Sequence, residues 1–349
     1  MSAPRQVLSD VAAAVAAEGV RVVYGVLGDG NLHLALALEQ VGVRWVSTRR
    51  EQGAVAMADG AARRSGELAA ASVTHGPGLT NAVTALTAAA LAGSPVLVLA
   101  GDTPRTTRHH GQDIAQEPLT RATGAAWVPL RLPVTATEDV AVAARTARSG
   151  RRPVVLDLPV DLQFQPSAGA LPRPLPAPPV PVRVPTGAEV DELADALRGA
   201  AAPLVLAGRG ALAAAADLTA VAEAVGARLG TTLLARGLFG GHPADVGVVG
   251  GFASPEARAV LADVDLVVAF GAALNRFTTA NGRVCPKAGW VQVDRAAEAI
   301  GVTTMPSSVV LADSAATAAA LRQLLSGQPP RPAPVPLPLP GTPPLSRAG

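Results

Sequence analysis

A carboxylate followed by a glycine-rich turn gives this sequence its clearest potential for chemistry. Glu51 lies at the start of a helical pattern, within residues 48–54 (TRREQGA). Residues 74–81 (THGPGLTN) then connect a strand pattern to a helix pattern. A carboxyl group can exchange a proton with a ligand, and a Gly-Pro-Gly turn at a helix start lets a ligand approach backbone N–H groups closely. The two segments therefore predict a ligand site.

Glu51 also has a purely structural interpretation. Thr48 and Glu51 have the Thr-x-x-Glu spacing of a capping box at the start of a helix over residues 51–65. Capping boxes are common and isolated catalytic carboxylates are not, so the residue pattern alone favours the cap. One residue can serve both roles, and both interpretations stay open from the pattern.

The elements around these segments alternate short apolar strands with amphipathic helices. Strand patterns precede the two segments, at 44–47 and 70–74, and helix patterns follow them, at 51–65 and 79–92. Strands that are apolar throughout need helices on both faces, as in a buried parallel sheet. The same alternation returns later in the chain. We therefore expect an α/β protein with two doubly wound parallel-sheet domains, the second of them Rossmann-like.

Two proline-rich stretches mark the domain boundaries. Proline lacks a backbone N–H, so these stretches cannot supply a helix or a sheet ladder. We predict a first domain at residues 1–165, a linker at 166–186, a second domain at 187–327 and a proline-rich tail at 328–349.

The composition argues against several classes of protein. Of the 349 residues 49% are hydrophobic and 16% charged, which is the balance of a folded chain. With a formal net charge of +2 and 3% aromatic residues, the sequence lacks the basic stripe and stacking residues of nucleic-acid binders. The longest apolar region, residues 82–100, is broken by Gly93-Ser94-Pro95, so no membrane span is expected. The single cysteine, Cys285, fits a reducing compartment, and we expect a cytoplasmic protein.

Further motifs follow the first two in a fixed order. They are residues 25–28 (GVLG), 94–102 (SPVLVLAGD), Gln112 with its acidic neighbours, and 152–159 (RPVVLDLP). The whole series resembles the pyrimidine-binding domain of acetolactate synthase-like thiamine diphosphate (TPP) enzymes. Residues 237–251 and 265–271 are similar to the central domain of the same family. The resemblance covers most of the chain and reverses the preference for a mere cap at Glu51.

The resemblance implies specific roles for residues of the first domain. In the family, a glutamate at the position of Glu51 stands against a ring nitrogen of the cofactor's pyrimidine and promotes loss of the cofactor's own C2 proton. The resemblance makes Glu51 the catalytic residue. It also implies that a set of residues binds thiamine diphosphate, namely Gly28, Glu51, Pro77, Asn81 and Gln112.

Three other features have competing interpretations. His109 and His110 form a pair in a region where some related decarboxylases use paired histidines as acid–base groups, although the two could simply lie in a histidine-rich surface loop. The candidate substrate residues are His75 and His110. Residues 28–31 (GDGN) imitate the start of the family's Mg²⁺ motif, but its later Asn is missing, so we interpret them as a turn and expect no metal ligand. Residues 208–213 (GRGALA) fit a dinucleotide fingerprint without its acidic residue. In the family, central domains sometimes hold FAD or ADP and sometimes nothing.

The resemblance implies an enzyme that acts on pyruvate or another 2-oxo acid by decarboxylation and carboligation. We expect the domain that binds the cofactor's diphosphate through Mg²⁺ to be absent, so that the chain needs it from a separate subunit. Because the family's active site lies between subunits, we also expect a homo-oligomer, either a dimer or a tetramer. The alternative is a non-catalytic relic or binding subunit that retains the fold.

Overall fold

The structure is a computed structural model that describes residues 5–167, 182–327 and 331–337. The chain divides into two compact units between residues 180 and 181. Among the described residues, each unit contains one six-stranded sheet in which all neighbouring strands run parallel. The predicted fold class, α/β with two parallel-sheet domains, is confirmed.

Unit 1 is a doubly wound sheet with strand order β2-β1-β3-β4-β6-β5. Its strands are β1 (Val22–Gly25), β2 (Arg44–Ser47), β3 (Ala69–Val73), β4 (Val96–Asp102), β5 (Ala126–Pro129) and β6 (Val154–Pro159). Its helices are α1 (Val7–Ala17), α2 (Leu32–Gln40), α3 (Glu51–Ser65), α4 (Pro77–Ala92), α5 (Gln116–Ala122), α6 (Ala136–Gly150) and α7 (Val160–Gln163). One hydrophobic cluster joins the sheet to α1, α2 and α6, and another joins it to α3 and α4. The sheet is therefore covered on both faces.

Unit 2 has the strand order β12-β11-β10-β7-β8-β9. Its strands are β7 (Pro203–Ala207), β8 (Arg228–Thr231), β9 (Asp245–Val248), β10 (Leu266–Phe270), β11 (Gly289–Asp294) and β12 (Ser308–Leu311). Its helices are α8 (Gly187–Gly199), α9 (Ala215–Val225), α10 (Pro255–Leu261) and α11 (Ser314–Leu325). Counted from the first strand of the unit, the order is that of the Rossmann fold, 3-2-1-4-5-6 read from the opposite edge.

The structure adds elements that the pattern did not predict, and most of them lie at sheet edges. Strands β5, β9 and β12 each form the outer strand of a sheet. Each is four residues long and has only one buried residue, so the burial on both faces that marks a central strand is missing. The short helix α5 was also not predicted, and it carries a buried glutamine of the site described below.

One predicted helix starts differently from the prediction, and the predicted linker and tail are described only in part. The helix expected over residues 211–225 begins as a 3₁₀ turn at Arg209–Ala214 and becomes α-helical only at Ala215. Most of the predicted linker, residues 168–181, lies outside the described residues, as do 328–330 and 338–349 of the predicted tail. The described tail residues 331–337 lie against unit 2, where Arg331 Nη1 donates to the Ala200 carbonyl over 2.9 Å. No helix of the described residues combines the length and apolar character needed to cross a bilayer.

Gly101 in β4 lies against the backbone of the turn after β1. A Cβ at Gly101 would lie 2.7 Å from the carbonyl oxygen of Gly30, and backbone atoms cannot rotate away as a side chain can. We expect Gly101→Ala to lower the free energy of unfolding of unit 1 by roughly 1–3 kcal/mol, the usual cost of overpacking. Urea denaturation measures it.

Gly60→Ala is the matched control, because Gly60 lies within α3 and a Cβ there meets no atom within 4 Å. This variant should be neutral or stabilising by up to about 1 kcal/mol, since alanine is the better helix former. Equal losses in the two variants would show that the approach of Gly101 to Gly30 imposes no constraint.

Candidate functional site

Parallel pairing brings the sequence-predicted residues to one edge of unit 1. The chain leaves β1 into the turn at Gly28, β2 into Glu51, and β3 into His75. Strand β1 pairs with both β2 and β3, and β3 pairs with β4. The carboxyl ends of these four strands are therefore neighbours, which is where open α/β sheets bind ligands.

Glu51 and Asn81 are joined by a hydrogen bond. Asn81 Nδ2 donates to Glu51 Oε2 over 3.2 Å, and the other carboxylate oxygen, Oε1, lies 3.6 Å from the position that a Cβ on Gly78 would occupy. Helices α3 and α4 pack against each other. The hydrogen bond joins the first residue of α3 to the N-terminal part of α4. Two residues that are thirty positions apart in the sequence thus form one polar group beside the glycine-rich turn.

The capping-box interpretation of Thr48 and Glu51 is wrong. The residue before the helix is Arg50, which caps through no side chain, and Thr48 Oγ1 donates to the Arg50 carbonyl over 3.0 Å. A capping box needs its glutamate at the third helical position, whereas Glu51 occupies the first. Glu51 is therefore half-buried against α4 for a reason other than helix capping.

The Gly-Pro-Gly turn is held in a conformation that only glycine tolerates. Gly76 has φ of +53°, and a Cβ on it would lie 1.9 Å from the Gln112 carbonyl oxygen. A Cβ on Gly78 would lie 2.8 Å from Thr74 Cγ2. Pro77 occupies the first turn of α4, where its missing N–H costs nothing, and it is exposed. The turn is thus rigid and presents Pro77 at the surface beside Glu51.

Gly28 lies against protein and not against open space. A Cβ on Gly28 would be 2.8 Å from Thr74 Cβ and Oγ1. Asn31 closes the turn, because its Oδ1 accepts the Gly28 N–H at 2.9 Å and its Nδ2 donates to Ser72 Oγ at 3.0 Å. Asn31 is buried with both amide atoms engaged. This confirms that residues 28–31 form a turn, and it explains the glycine by packing alone.

The structure brings His75 and His110 together, with Gln112 next to them. The two imidazole rings meet edge to face at 5.3 Å between centroids, and the Gln112 N–H donates to His110 Nδ1 over 3.3 Å. His75 is buried, and within the described residues its Nδ1 has no hydrogen-bond partner. Burial lowers the pKa of His75, and the nearby His110 lowers it further. His75 is therefore neutral at physiological pH, while His109 lies outside this contact and is exposed.

Gln116, a residue that the sequence reasoning passed over, connects the turn to the sheet. Its Oε1 accepts the Gly76 N–H at 2.9 Å, and its Nε2 donates to the Gly101 carbonyl at 3.2 Å and to Asp157 Oδ1 at 3.5 Å. The side chain is 3% exposed. Gln116 and Gln112 lie in the same segment, and only the structure shows that Gln116 holds the turn.

Asp102 and Asp157 form a carboxyl pair behind Gln116. Asp102 ends β4, Asp157 lies two residues before the end of the adjacent strand β6, and the pairing register puts their side chains on the same side of the sheet. Burial and the neighbouring Asp102 raise the pKa of Asp157 to about 8, and burial also raises the pKa of Asp102. The sequence contains a signal for Asp157, because a charged residue within an otherwise apolar buried strand needs a special environment.

The dinucleotide-like loop of unit 2 is packed internally. A Cβ on Gly208 would lie 2.2 Å from the Gly271 carbonyl oxygen, and one on Gly210 would lie 2.8 Å from Gly271 Cα. The Gly210 N–H donates to the same carbonyl at 3.0 Å. These glycines therefore serve the contact between the loops after β7 and β10. Within the described residues, no group of three or more His, Cys, Asp or Glu side chains is arranged to hold a metal ion.

Comparison with known proteins agrees with this arrangement. Residues 5–122 match the family described as "Thiamine pyrophosphate enzyme, N-terminal TPP binding domain". Residues 190–321 match "Thiamine pyrophosphate enzyme, central domain". The chain belongs to the thiamine pyrophosphate enzyme family. The N-terminal match contains all the residues that meet at the edge of unit 1 except Asp157.

Several relatives within the TPP enzyme family are similar over most of this chain. The probable acetolactate synthase large subunit of Methanocaldococcus jannaschii is 30% identical over 86% of this chain and 53% of its own length. The acetolactate synthase isozyme 3 large subunit of Escherichia coli is 32% identical, over 88% of this chain and 56% of its own length. The sulfoacetaldehyde acetyltransferase of Rhodobacter capsulatus is 30% identical, over 89% and 54%. The chain spans about half the length of these relatives.

The raised pKa of Asp157 predicts a pH-dependent stability of unit 1. A carboxyl group that binds its proton more tightly when folded stabilises the fold fully below its unfolded pKa, near 3.8, and loses that contribution as the pH rises through about 8. We expect the unfolding free energy of the wild type to fall across this window relative to Asp157→Asn, with a slope of at most about 1.4 kcal/mol per pH unit.

Urea titrations at pH 5 and pH 8.5 measure this difference. With Trp290 replaced by Phe in both proteins, emission from Trp45 and Trp127 reports unit 1 alone. A wild-type-minus-variant difference that is the same at the two pH values would contradict a raised pKa at Asp157.

Proposed function

We propose that this chain supplies the pyrimidine-binding part of a thiamine diphosphate enzyme that acts on pyruvate or another 2-oxo acid, by decarboxylation and carboligation. The observation that carries the proposal is the Glu51 carboxylate, which Asn81 holds at 3.2 Å beside a rigid Gly-Pro-Gly turn. A carboxylate fixed next to an exposed proline and a close-packed backbone is suited to meet the edge of a flat heterocycle.

The residues at the edge of unit 1 fit the pyrimidine half of the cofactor. When bound, thiamine diphosphate supplies a carbon nucleophile for 2-oxo acid chemistry. Glu51 holds and exchanges a proton at its carboxylate, and Asn81 orients that carboxylate by donating to Oε2. Pro77 offers an apolar face, and the close packing of Gly76 against the Gln112 carbonyl keeps it in place. Gln112 flanks the turn through its carbonyl, and Gly28 supports the turn from beneath through Thr74.

The pair formed by His75 and His110 is the proposed substrate contact. The buried Nδ1 of His75 is a polar atom that lacks a partner among the described residues, and such atoms are costly unless a ligand or water serves them. The relatives named above support 2-oxo acid chemistry only in part, because acetolactate synthases and a sulfoacetaldehyde acetyltransferase occur side by side among them. An activity assay with several 2-oxo acids would identify the substrate within this class.

The proposed enzyme has a definite organisation. Residues 1–165 bind the pyrimidine and residues 187–327 form a central domain, while a diphosphate- and Mg²⁺-binding domain completes the active site from another segment or subunit. The assembly is a cytoplasmic homo-oligomer. FAD in the central domain is the less supported cofactor, because the glycines of residues 208–213 are explained by contact with Gly271.

Glu51→Gln tests the catalytic assignment. In the protein completed with a diphosphate-binding domain, we expect loss of carboxyl proton exchange to lower kcat by roughly 10²–10⁴-fold, the usual contribution of a general acid–base group. Release of CO₂ from pyruvate and related 2-oxo acids is the measurement. Glu67→Gln, an exposed glutamate of the same unit, is the matched control and should leave kcat unchanged. Unchanged activity in Glu51→Gln would favour a binding subunit or relic.

The genomic DNA gives an independent test of the organisation. If this chain works with a diphosphate-binding domain, then the sequence downstream of codon 349 or a neighbouring gene should encode Gly-Asp-Gly followed, one βα unit later, by Asn, the oxygen ligands that Mg²⁺ requires. Sequencing the locus decides this. The absence of such a motif in frame or nearby would contradict a working enzyme assembled from this locus.

A further inference from the structure

The Asp102–Asp157 pair takes no part in the proposed chemistry. Gln116 nevertheless links it by hydrogen bonds to the Gly-Pro-Gly turn of the site. Asp157 is 4% exposed and is paired in register with Ala100 of β4, while Asp102 ends that strand. The register puts both side chains on the same side of the sheet, where the carboxyl group of Asp102 raises the pKa of Asp157. Asp157 is buried and Asp102 is half-buried, so ionising both neighbouring carboxyl groups is costly and one of them retains a proton.

The charges around the pair do not neutralise it. Arg105 is the cation that faces it, with Nη2 at 3.8 Å from Asp157 Oδ2, but this group also donates to the Leu130 carbonyl at 2.8 Å. Two further carboxylates act on the pair, Asp113 on Asp102 and Glu117 on Asp157. His75 faces Asp102 from the turn after β3. Glu117 is itself paired with Arg121 at 2.8 Å. With His75 neutral, the partly exposed Arg105 therefore faces three carboxyl groups, and the pair keeps its proton near neutral pH.

Gln116 connects the Asp102–Asp157 pair to the Gly76–Pro77–Gly78 turn. Its Nε2 has the Gly101 carbonyl and Asp157 as acceptors, so its Oε1 must point toward the Gly76 N–H. The reverse amide orientation would set two donors against each other, since the Gly76 N–H can only donate. Gly76 in turn begins the segment that carries Pro77 and leads into the helix of Asn81.

We propose that Asp102 and Asp157 share one proton and, through Gln116, position the Gly76–Pro77–Gly78 turn beside Glu51. The two aspartates are positioning residues and do not touch the ligand. Loss of the shared proton turns Asp157 into a full carboxylate, which accepts more strongly from Gln116 Nε2, draws the amide toward Asp157 and so changes the hydrogen bond from the Gly76 N–H to Gln116 Oε1. That the turn contacts a cofactor rests on the proposed function, whereas the coupling itself is a property of this chain.

Nuclear magnetic resonance on the isotope-labelled chain tests the coupling without any cofactor. We follow the carboxyl ¹³C shifts of Asp102 and Asp157 and the backbone ¹⁵N shift of Gly76 from pH 5.5 to 9.5. The expected result is a midpoint near pH 8 at Asp157 and a Gly76 shift that follows the same titration. A Gly76 shift that stays constant while Asp157 titrates would overturn the proposal, as would an Asp157 that is fully ionised at pH 5.5.

Three variants separate the parts of the device. Asp102→Asn removes the like charge and should lower the Asp157 midpoint by at least about one pH unit. Gln116→Met should leave the Asp157 midpoint in place but abolish the response at Gly76. Asp139→Asn is the matched control, because Asp139 is buried in the same unit and accepts from the Arg131 N–H and Thr135 instead. It should leave all three titrations unchanged.

The outcomes are decisive even if one variant fails to fold, because the wild-type titration and the other variants remain. A Gly76 response that persists in Gln116→Met overturns the proposed link. An Asp157 midpoint that does not move in Asp102→Asn overturns the shared proton. Because no cofactor enters the measurement, failure of the proposed function would leave these results standing.

Discussion

The parallel pairing of β1, β2, β3, β4 and β6 is the constraint on which the site depends. Parallel strands deliver all their carboxyl ends to one edge, so a residue just after each strand becomes a neighbour of the others whatever its place in the sequence. This is how Glu51 after β2 comes to lie beside Asn81 in the helix after β3. It also places Asp102 and Asp157 on adjacent strands, two positions apart in register, so that their side chains project to the same side of the sheet.

Close approach of backbone segments makes this edge rigid. Gly28 backs onto Thr74, Gly76 onto the Gln112 carbonyl, and Gly101 onto Gly30, each at a separation that a Cβ would violate. A turn held in this way cannot adjust its position cheaply, because its neighbours are backbone or packed side chains. Rigid placement of donors and apolar surface is what a binding site requires, since a ligand then pays little to order it.

Polar groups buried beneath the edge provide the specificity that packing alone cannot. Asn31 and Gln116 use both ends of their amides to connect turns to strands, so each fixes one loop in one orientation. Such networks stabilise only when every member has a partner. Among the described residues, the buried Nδ1 of His75 has no hydrogen-bond partner, and the His75 ring lies next to His110. A ligand could therefore join the network by hydrogen-bonding to this nitrogen.

The sequence by itself determined the fold class and most central strands and helices, because apolar periodicity is a local property. Its ordered series of motifs indicated the family and singled out Glu51 and the Gly-Pro-Gly turn. It missed the outer strands β5, β9 and β12, which are each only four residues long and too short to show a periodic pattern. Only the tertiary structure decided that Glu51 meets Asn81 instead of capping its helix, that Gln116 holds the turn, and that Asp102 faces Asp157. Each of these depends on which strand ends become neighbours, and hydrogen bonds between distant segments leave no periodic trace in the chain.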